Sequence, residues 1–191
     1  MDILEQFQKF NALLEGHFLL SSGRHSNRYL QAAVVLQHPA MADAIGARMA
    51  ALFPGRIDVV VSPAIGGIVI GQAVGRAKGC RAIFAEKDDK GNPLLRRGFG
   101  IQPGENILVV EDVITTGLST GEVADMAMKM GGDIVGIAAI VSRSEKGLQN
   151  LRKYNKPVKT LVNVEISTWE SENCPLCKDG VPVVKPGSRK T

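Results

Sequence analysis

The stretch ILVVEDVITTGLST, Ile107 to Thr120, runs four apolar residues into two adjacent acids, Glu111 and Asp112, and then places hydroxyl or glycine residues at Thr115, Thr116, Gly117, Ser119 and Thr120. ILVVE has the continuous apolar character of a strand buried on both faces. The TTGLST that follows offers hydroxyls, a glycine free to take unusual backbone angles, and the first amides of the helix GEVADMAMKMGG.

The same alternation extends in both directions. RIDVVVSP (Arg56 to Pro63) is predicted as a strand and GIVIGQAVGRAKG (Gly67 to Gly79) as a helix whose Ala and Gly positions allow close packing. CRAIFAE (Cys80 to Glu86), IVGIAAIVSR (Ile134 to Arg143) and VKTLVNVEI (Val158 to Ile166) are further strands, and helices are expected over about Asp2 to Glu15 and Met41 to Phe53. Apolar strands separated by helices define an α/β fold, with a central, mostly parallel sheet covered by helices. KDDKGNPLLRRGFGIQPGE (Lys87 to Glu105) is too polar and too rich in Gly and Pro for a core element, and loops of that length are usually functional or disordered. The chain has no internal repeat and no low-complexity segment.

With 191 residues, 45% of them hydrophobic, the chain is expected to build one domain, 1–191, around one sizeable core. A net charge of +4 with one Trp and two Tyr suits small anionic substrates better than a nucleic-acid duplex. No run approaches the length of a membrane span, and MDILEQFQKF is too acidic and polar for a signal peptide, so a cytoplasmic location is expected. Three cysteines, Cys80, Cys174 and Cys177, argue against a disulfide framework.

In an open parallel sheet, ligands bind beyond the carboxyl ends of the strands, where Glu111 and Asp112 fall. A turn of main-chain N–H groups at a helix start receives phosphate, and neighbouring carboxylates accept hydrogen bonds from sugar hydroxyls or hold a divalent metal, so the strip suits a phosphorylated sugar. No Lys follows the glycine, which removes a nucleotide P-loop, and no G-x-G-x-x-G is present; a capped strand-to-helix connection is the plainer alternative. SPAIGGI (Ser62 to Ile68) also joins a strand to a helix, and Gly66 and Gly67 there let amides approach an oxygen-rich group or serve helix packing. Arg143 ends an apolar strand at the level of Glu111, and its guanidinium can fork onto a planar carboxylate or form a surface ion pair.

VVEDVITTG resembles the phosphoribosyl pyrophosphate (PRPP) motif of the type I phosphoribosyltransferases. Further matches are similar to the orotate-using members: GHFLLSSGRHSNRYLQ (Gly16 to Gln31), SPAIGGI, SRSEKG (Ser142 to Gly147) and the tail CPLCKDGVPVVKPGSR. The resemblance implies the type I fold with a small hood from about 1–35 and 167–191. It also implies a Mg²⁺-dependent transfer of phosphoribose to N1 of orotate. In these terms Glu111 and Asp112 bind the ribose, and PRPP is held by Glu111, Asp112, Val113, Ile114, Thr115, Thr116, Gly117, Leu118 and Ser119. Ala64, Ile65, Gly66 and Gly67 form the pyrophosphate loop. Orotate is bound by Ser22, Gly23, Arg24, Tyr29, Thr115 and Arg143. Lys87 and Lys90 are the catalytic loop cations, Arg96 and Arg97 are further anion-binding candidates, and Mg²⁺ is held mainly by substrate, with Glu111 and Asp112 as candidate ligands. The resemblance implies a homodimer that shares the loop between subunits.

The sequence departs from that pattern at three places: Ser21 stands for a frequent Lys before Ser-Gly-Arg, Gly66 for a Lys in the pyrophosphate loop, and the loop His is missing, with Asn92 nearby. A neutral-base phosphoribosyltransferase would have no use for Arg143, and a nucleic-acid-binding regulator on this fold would be expected to carry a basic helix-turn-helix, which is not evident. His17, His25 and His38 lack ligand spacing and are assigned no metal. Cys174 and Cys177 form a single C-x-x-C where zinc needs two more ligands; a turn with free thiols is favoured over a four-thiolate site shared by two copies, and no zinc is assigned.

Overall fold

The computed structural model describes residues 2–20 and 22–186. Ser21 and the tail beyond Pro186 lie outside the described residues. The chain forms two compact units, one from residues up to Val35 together with those from Glu165 on, the other from Leu36–Val164.

The larger unit contains α3 (Pro39–Ala51), β3 (Val59–Pro63), α4 (Gly67–Lys78), β4 (Arg81–Lys87), β5 (Pro93–Leu95), β6 (Asn106–Ile114), α5 (Leu118–Lys129), β7 (Asp133–Ser142), α6 (Glu145–Leu151) and β8 (Val158–Asn163). Its strands order as β5-β4-β3-β6-β7-β8. Every pairing is parallel except β4 with β5. Val59, Val61, Ile107, Val109, Ile137 and Ala139 form one inner face with Val123, Ala124 and Ala127 of α5. Val60, Leu108, Val110, Ala138 and Ile140, the alternate set, are equally buried. Burial on both faces is why these strands read as unbroken apolar runs.

The strand carrying the acids is longer than expected. β6 continues through Glu111 and Asp112 to Ile114, because Val113 and Ile114 still pair with Val141 and Ser142 of β7. Its helix accordingly starts at Leu118, after Gly117 turns the chain at φ 75°. The polar segment after β4 is also more ordered than a plain loop. Pro93–Leu95 folds back as β5 on Ala85–Lys87, and Asp88 closes the turn by accepting from the N–H groups of Lys90 and Asn92 and from the Asn92 amide. Those bonds hold the Asp88 carboxyl below the usual carboxylate range.

The smaller unit contains α1 (Ile3–Lys9), β1 (Leu13–Leu19), β2 (His25–Leu30), the start of α2 (Ala32–Leu36), β9 (Thr168–Trp169) and α7 (Pro175–Lys178). Its antiparallel sheet has the order β1-β2-β9. The helix expected over Asp2 to Glu15 stops at Lys9: Asn11 takes a left-handed conformation, φ 52°, and Leu13, Leu14 and Glu15 pair with Leu30, Tyr29 and Arg28. Asp2 caps that helix by accepting from the Leu4 and Glu5 amides. Sheet pairing outweighs the helical tendency of LLEG.

Candidate active site

The site of the larger unit is assembled from three strand-to-helix junctions. At the end of β6, the Glu111 side chain turns inward and is only 6% exposed. Its Oε2 accepts from the Ser119 hydroxyl at 3.2 Å and the Thr120 hydroxyl at 3.3 Å, so the first turn of α5 is tied to the strand beneath it. Burial, and next the charge of Asp112, push the Glu111 carboxyl well above the ordinary range. Asp112, the next residue, is half-buried; Oδ1 accepts from the Val113 N–H at 2.8 Å. The pair is therefore unequal, with one carboxyl built into the scaffold and the other partly open.

The junction after β3 meets that pair directly. A Cβ placed on Gly66 would lie 2.6 Å from Asp112 Oδ2, and one on Gly67 would lie 3.3 Å from Glu111 Oε1. The Ala64–Ile65 peptide is cis, and Ile65 is 84% exposed. Ala64, Ile65, Gly66 and Gly67 thus form a turn whose main chain runs beside the Asp112 carboxylate.

The junction after β7 clasps the turn after β6. The Arg143 N–H donates to the Ile114 carbonyl at 2.9 Å. The Ser144 hydroxyl donates to the Thr115 carbonyl at 2.8 Å and caps α6 by accepting from the Gly147 N–H. The Asn150 amide donates to the Thr116 carbonyl at 2.9 Å. These bonds engage the Thr115 and Thr116 carbonyls, and the Leu118 N–H at the start of α5 donates to the Thr116 hydroxyl at 3.3 Å. A side chain at Gly117 would meet the Gly147 carbonyl, 2.7 Å from its Cβ, so both the positive φ and the close packing require glycine. Val113 and Ile114 end β6, Thr115, Thr116 and Gly117 make the turn, and Leu118 and Ser119 open α5, with Leu118 65% exposed. Arg143 is 9% exposed at the end of β7.

The cations of the β4–β5 segment have distinct settings. Lys87 Nζ lies 3.2 Å from Glu122 of α5, which links the end of β4 to the helix that follows the Thr115–Gly117 turn. Lys90 is exposed within the turn between β4 and β5. Arg97 is paired with Glu86 at 2.6 Å and stacks over Phe84, while Arg96 is exposed.

The remaining predicted residues belong to the smaller unit. Arg24 donates to the Thr168 hydroxyl and carbonyl and pairs with Glu170, tying the turn before β2 to β9. Ser22 and Gly23 are exposed in that turn, and Tyr29 stands on β2 with its ring 5.9 Å from Phe18. In the same unit His17, His25, Cys174 and Cys177 converge, with their ligand atoms within 4.8 Å of one another. That convergence corrects the reading of scattered histidines and an incomplete C-x-x-C, which sequence spacing could not bring together. Ser144, Asn150 and Glu122 were also missed; the hydroxyl of the SRSEKG turn was the only local signal for any of them.

The parallel sheet and its three junction loops define the class, and the comparison agrees: residues 32–176 match the phosphoribosyl transferase domain, and the chain belongs to that family. Its near relatives within it are orotate phosphoribosyltransferases. The one from Caldanaerobacter subterraneus subsp. tengcongensis is 48% identical over 189 residues, covering 98% of this chain and 97% of the relative. That of Caldicellulosiruptor bescii is 50% identical over 188 residues, covering 98% and 96%. The crystal structure of orotate phosphoribosyltransferase from Aeropyrum pernix shares the fold, with a TM-score of 0.73 at 21% identity over 83% of this chain and 92% of that one.

Proposed function

We propose that this chain transfers the 5-phosphoribosyl group of PRPP to N1 of orotate, giving orotidine 5′-monophosphate and pyrophosphate. The reading is carried by the unequal acid pair, with half-buried Asp112 against the Gly66–Gly67 turn, in a chain about half identical to named orotate phosphoribosyltransferases. The Thr115–Gly117 turn and the amides of α5 receive the 5-phosphate, through N–H donors at the positive end of the helix dipole. Asp112 accepts from the ribose hydroxyls. Glu111, held by two hydroxyls and a main-chain N–H, keeps the strand end and the α5 turn in register.

Cleavage at the anomeric carbon builds positive charge on the ribose and negative charge on the leaving pyrophosphate. Fixed groups that stabilise those separating charges lower the barrier, and positioning both partners removes most of the entropic cost. Asp112 lies on the ribose side, the amides of the Ala64–Gly67 turn face the pyrophosphate, and Arg143 pairs with the orotate carboxylate. As the bond to the anomeric carbon forms, orotate N1 loses its proton, and the departing pyrophosphate supplies basic oxygens to accept it.

The residues present fit a Mg²⁺ ion bound chiefly by substrate oxygens. Asp112 is the suitable protein ligand, since both oxygens of Glu111 already accept hydrogen bonds. Bound there, the ion neutralises charge on the leaving pyrophosphate. Lys87 and Lys90 add to that neutralisation, Lys87 after leaving Glu122, and we place them in trans, in a homodimer whose subunits exchange this segment. No helix among the described residues is long and apolar enough to cross a membrane; we place the enzyme in the cytoplasm.

The test is the fall in orotate absorbance on adding PRPP and Mg²⁺, with uracil, hypoxanthine and adenine in parallel. Turnover of orotate alone supports the reading. Turnover of a neutral base in its place would reassign the substrate, and no turnover of any base would favour a regulator that only senses PRPP.

A further inference from the structure

The four ligand-type side chains of the smaller unit take no part in this reaction. Antiparallel pairing of Leu19 with His25 brings His17, two residues earlier on β1, beside the start of β2. Cys174 precedes α7 and Cys177 lies within it. Cys174 Sγ is 3.4 Å from His17 Nε2, and Cys177 Sγ is 3.3 Å from His25 Nδ1 and 3.8 Å from His17 Nε2. In a tetrahedral zinc site, with Zn–N about 2.0 Å and Zn–S about 2.3 Å, the N···S edges come to about 3.5 Å. The observed distances straddle that value. The two ring nitrogens are 2.7 Å apart, against an N···N edge of about 3.3 Å, so metal entry spreads the imidazoles by roughly half an ångström.

The surroundings orient the donors. His17 Nδ1 lies 2.7 Å from the Val181 carbonyl oxygen, which only accepts, so Nδ1 carries the proton and Nε2 turns its lone pair on the cluster. The segment after Cys177 is folded for this contact. Gly180, at φ 68°, donates to the Cys177 carbonyl, and the Val181 N–H donates to the Leu176 carbonyl, which returns Val181 to the ring. His17, His25 and Cys174 are all buried.

We propose that His17, His25, Cys174 and Cys177 form a structural zinc site. Two thiolates and two neutral imidazoles cancel the charge of the ion, so the loaded cluster is neutral where three of its ligands are buried. Mixed sulfur and nitrogen donors suit zinc, and four protein ligands leave no position for substrate, which makes the site structural. On binding, each thiol gives its proton to solvent and each sulfur forms one bond to the metal. His17, His25 and Cys177 fall outside the matched family region, 32–176, so the site is an addition to the shared domain. It joins the β1–β2 hairpin to a segment 157 residues further along the chain.

Metal analysis of the full-length protein purified after expression with zinc should find about one zinc per chain, falling below about a tenth in Cys177→Ser and His17→Ala and unchanged in Cys80→Ser. Cobalt(II) added to zinc-free wild-type protein should give intense tetrahedral d–d bands and a thiolate-to-cobalt charge-transfer band. Cys177→His should keep the tetrahedral bands with weaker charge transfer, and Cys177→Ser should lose tight binding. Chelation should lower the melting temperature of wild type and leave that of Cys177→Ser unchanged. Three results would each overturn the proposal: under about a tenth of a zinc per chain after incubation with zinc, together with no cobalt charge-transfer band; an undiminished band in a Cys174→Ser, Cys177→Ser double variant; or a Cys174–Cys177 disulfide in freshly purified protein. The cobalt spectrum is read on wild type, so it does not depend on any variant folding, and none of these outcomes bears on the assigned reaction.

Discussion

Gly66→Ala is the most incisive perturbation of the site. The backbone at residue 66 is right-handed helical, φ −58° and ψ −41°, so alanine fits without backbone strain. Its methyl group, however, would sit 2.6 Å from Asp112 Oδ2 and 2.8 Å from both Cγ and Oδ1. Ordinary contact starts at about 3.4 Å, so the carboxylate must retreat by roughly 0.8 Å and weaken its hydrogen bond to the Val113 N–H. A hydrogen bond to a charged group contributes about 1.5–3 kcal/mol, and a misplacement near 1 Å costs up to about 100-fold. We therefore predict a loss of about 10- to 100-fold in kcat/KM for PRPP, with a melting temperature close to wild type. Gly67→Ala serves as the contrast, because its Cβ meets Ser62 at 3.1 Å and the Val110 carbonyl at 3.2 Å and should lower stability instead. The assay is orotate absorbance at varied PRPP, repeated in an Asp112→Ala background, where the Gly66→Ala penalty should shrink to within about twofold. Wild-type kcat/KM in Gly66→Ala, or an undiminished penalty in the Asp112→Ala background, would refute positioning of Asp112 by the Gly66 turn.

Arg143→Ala should raise the KM for orotate far more than that for PRPP, by an amount equivalent to about 2–5 kcal/mol of binding; equal effects in steady-state kinetics would mean that Arg143 is structural. Glu111→Gln should flatten the dependence of stability on pH. A carboxyl raised by burial binds more protons folded than unfolded, so wild-type stability falls as pH rises above the unfolded value of about 4.3; parallel urea midpoints for wild type and variant from acid to neutral pH would contradict this. Mixing Asp112→Asn with a Lys87→Ala, Lys90→Ala double variant should restore about a quarter of wild-type activity after subunit exchange, since about half of the dimers then hold one complete site. No recovery, with exchange confirmed by differently tagged subunits, would show that the segment serves its own subunit or that these lysines are not catalytic.

What the sequence revealed follows from how each signal is carried. β3, β6 and β7 were legible because strands buried on both faces are apolar throughout, β4 because its apolar centre sits between turn residues, and the acids and their turn because they are contiguous. The Asp2 to Glu15 helix was overextended since β1 and β2 are half-buried and gain their order from pairing with each other. β5 is three residues long, below any periodicity. The clasp of Ser144 and Asn150 on the Thr115–Gly117 turn joins positions about thirty residues apart, and the His17–Cys174 contact spans far more. Such juxtapositions belong to tertiary structure and leave no mark in local spacing.

The smaller unit is made from both flanks of the larger one, and that fixes an order of events during synthesis. All six strands of the sheet that carries the acids are translated before Glu165, whereas the smaller unit cannot close until Cys174 and Cys177 are made. The β1–β2 hairpin, translated before Leu36–Val164, waits for β9, which pairs with β2, until the chain beyond Glu165 is made. Nascent chains fold by completed units from the amino end; here the hairpin translated ahead of the larger unit belongs to the unit completed after it.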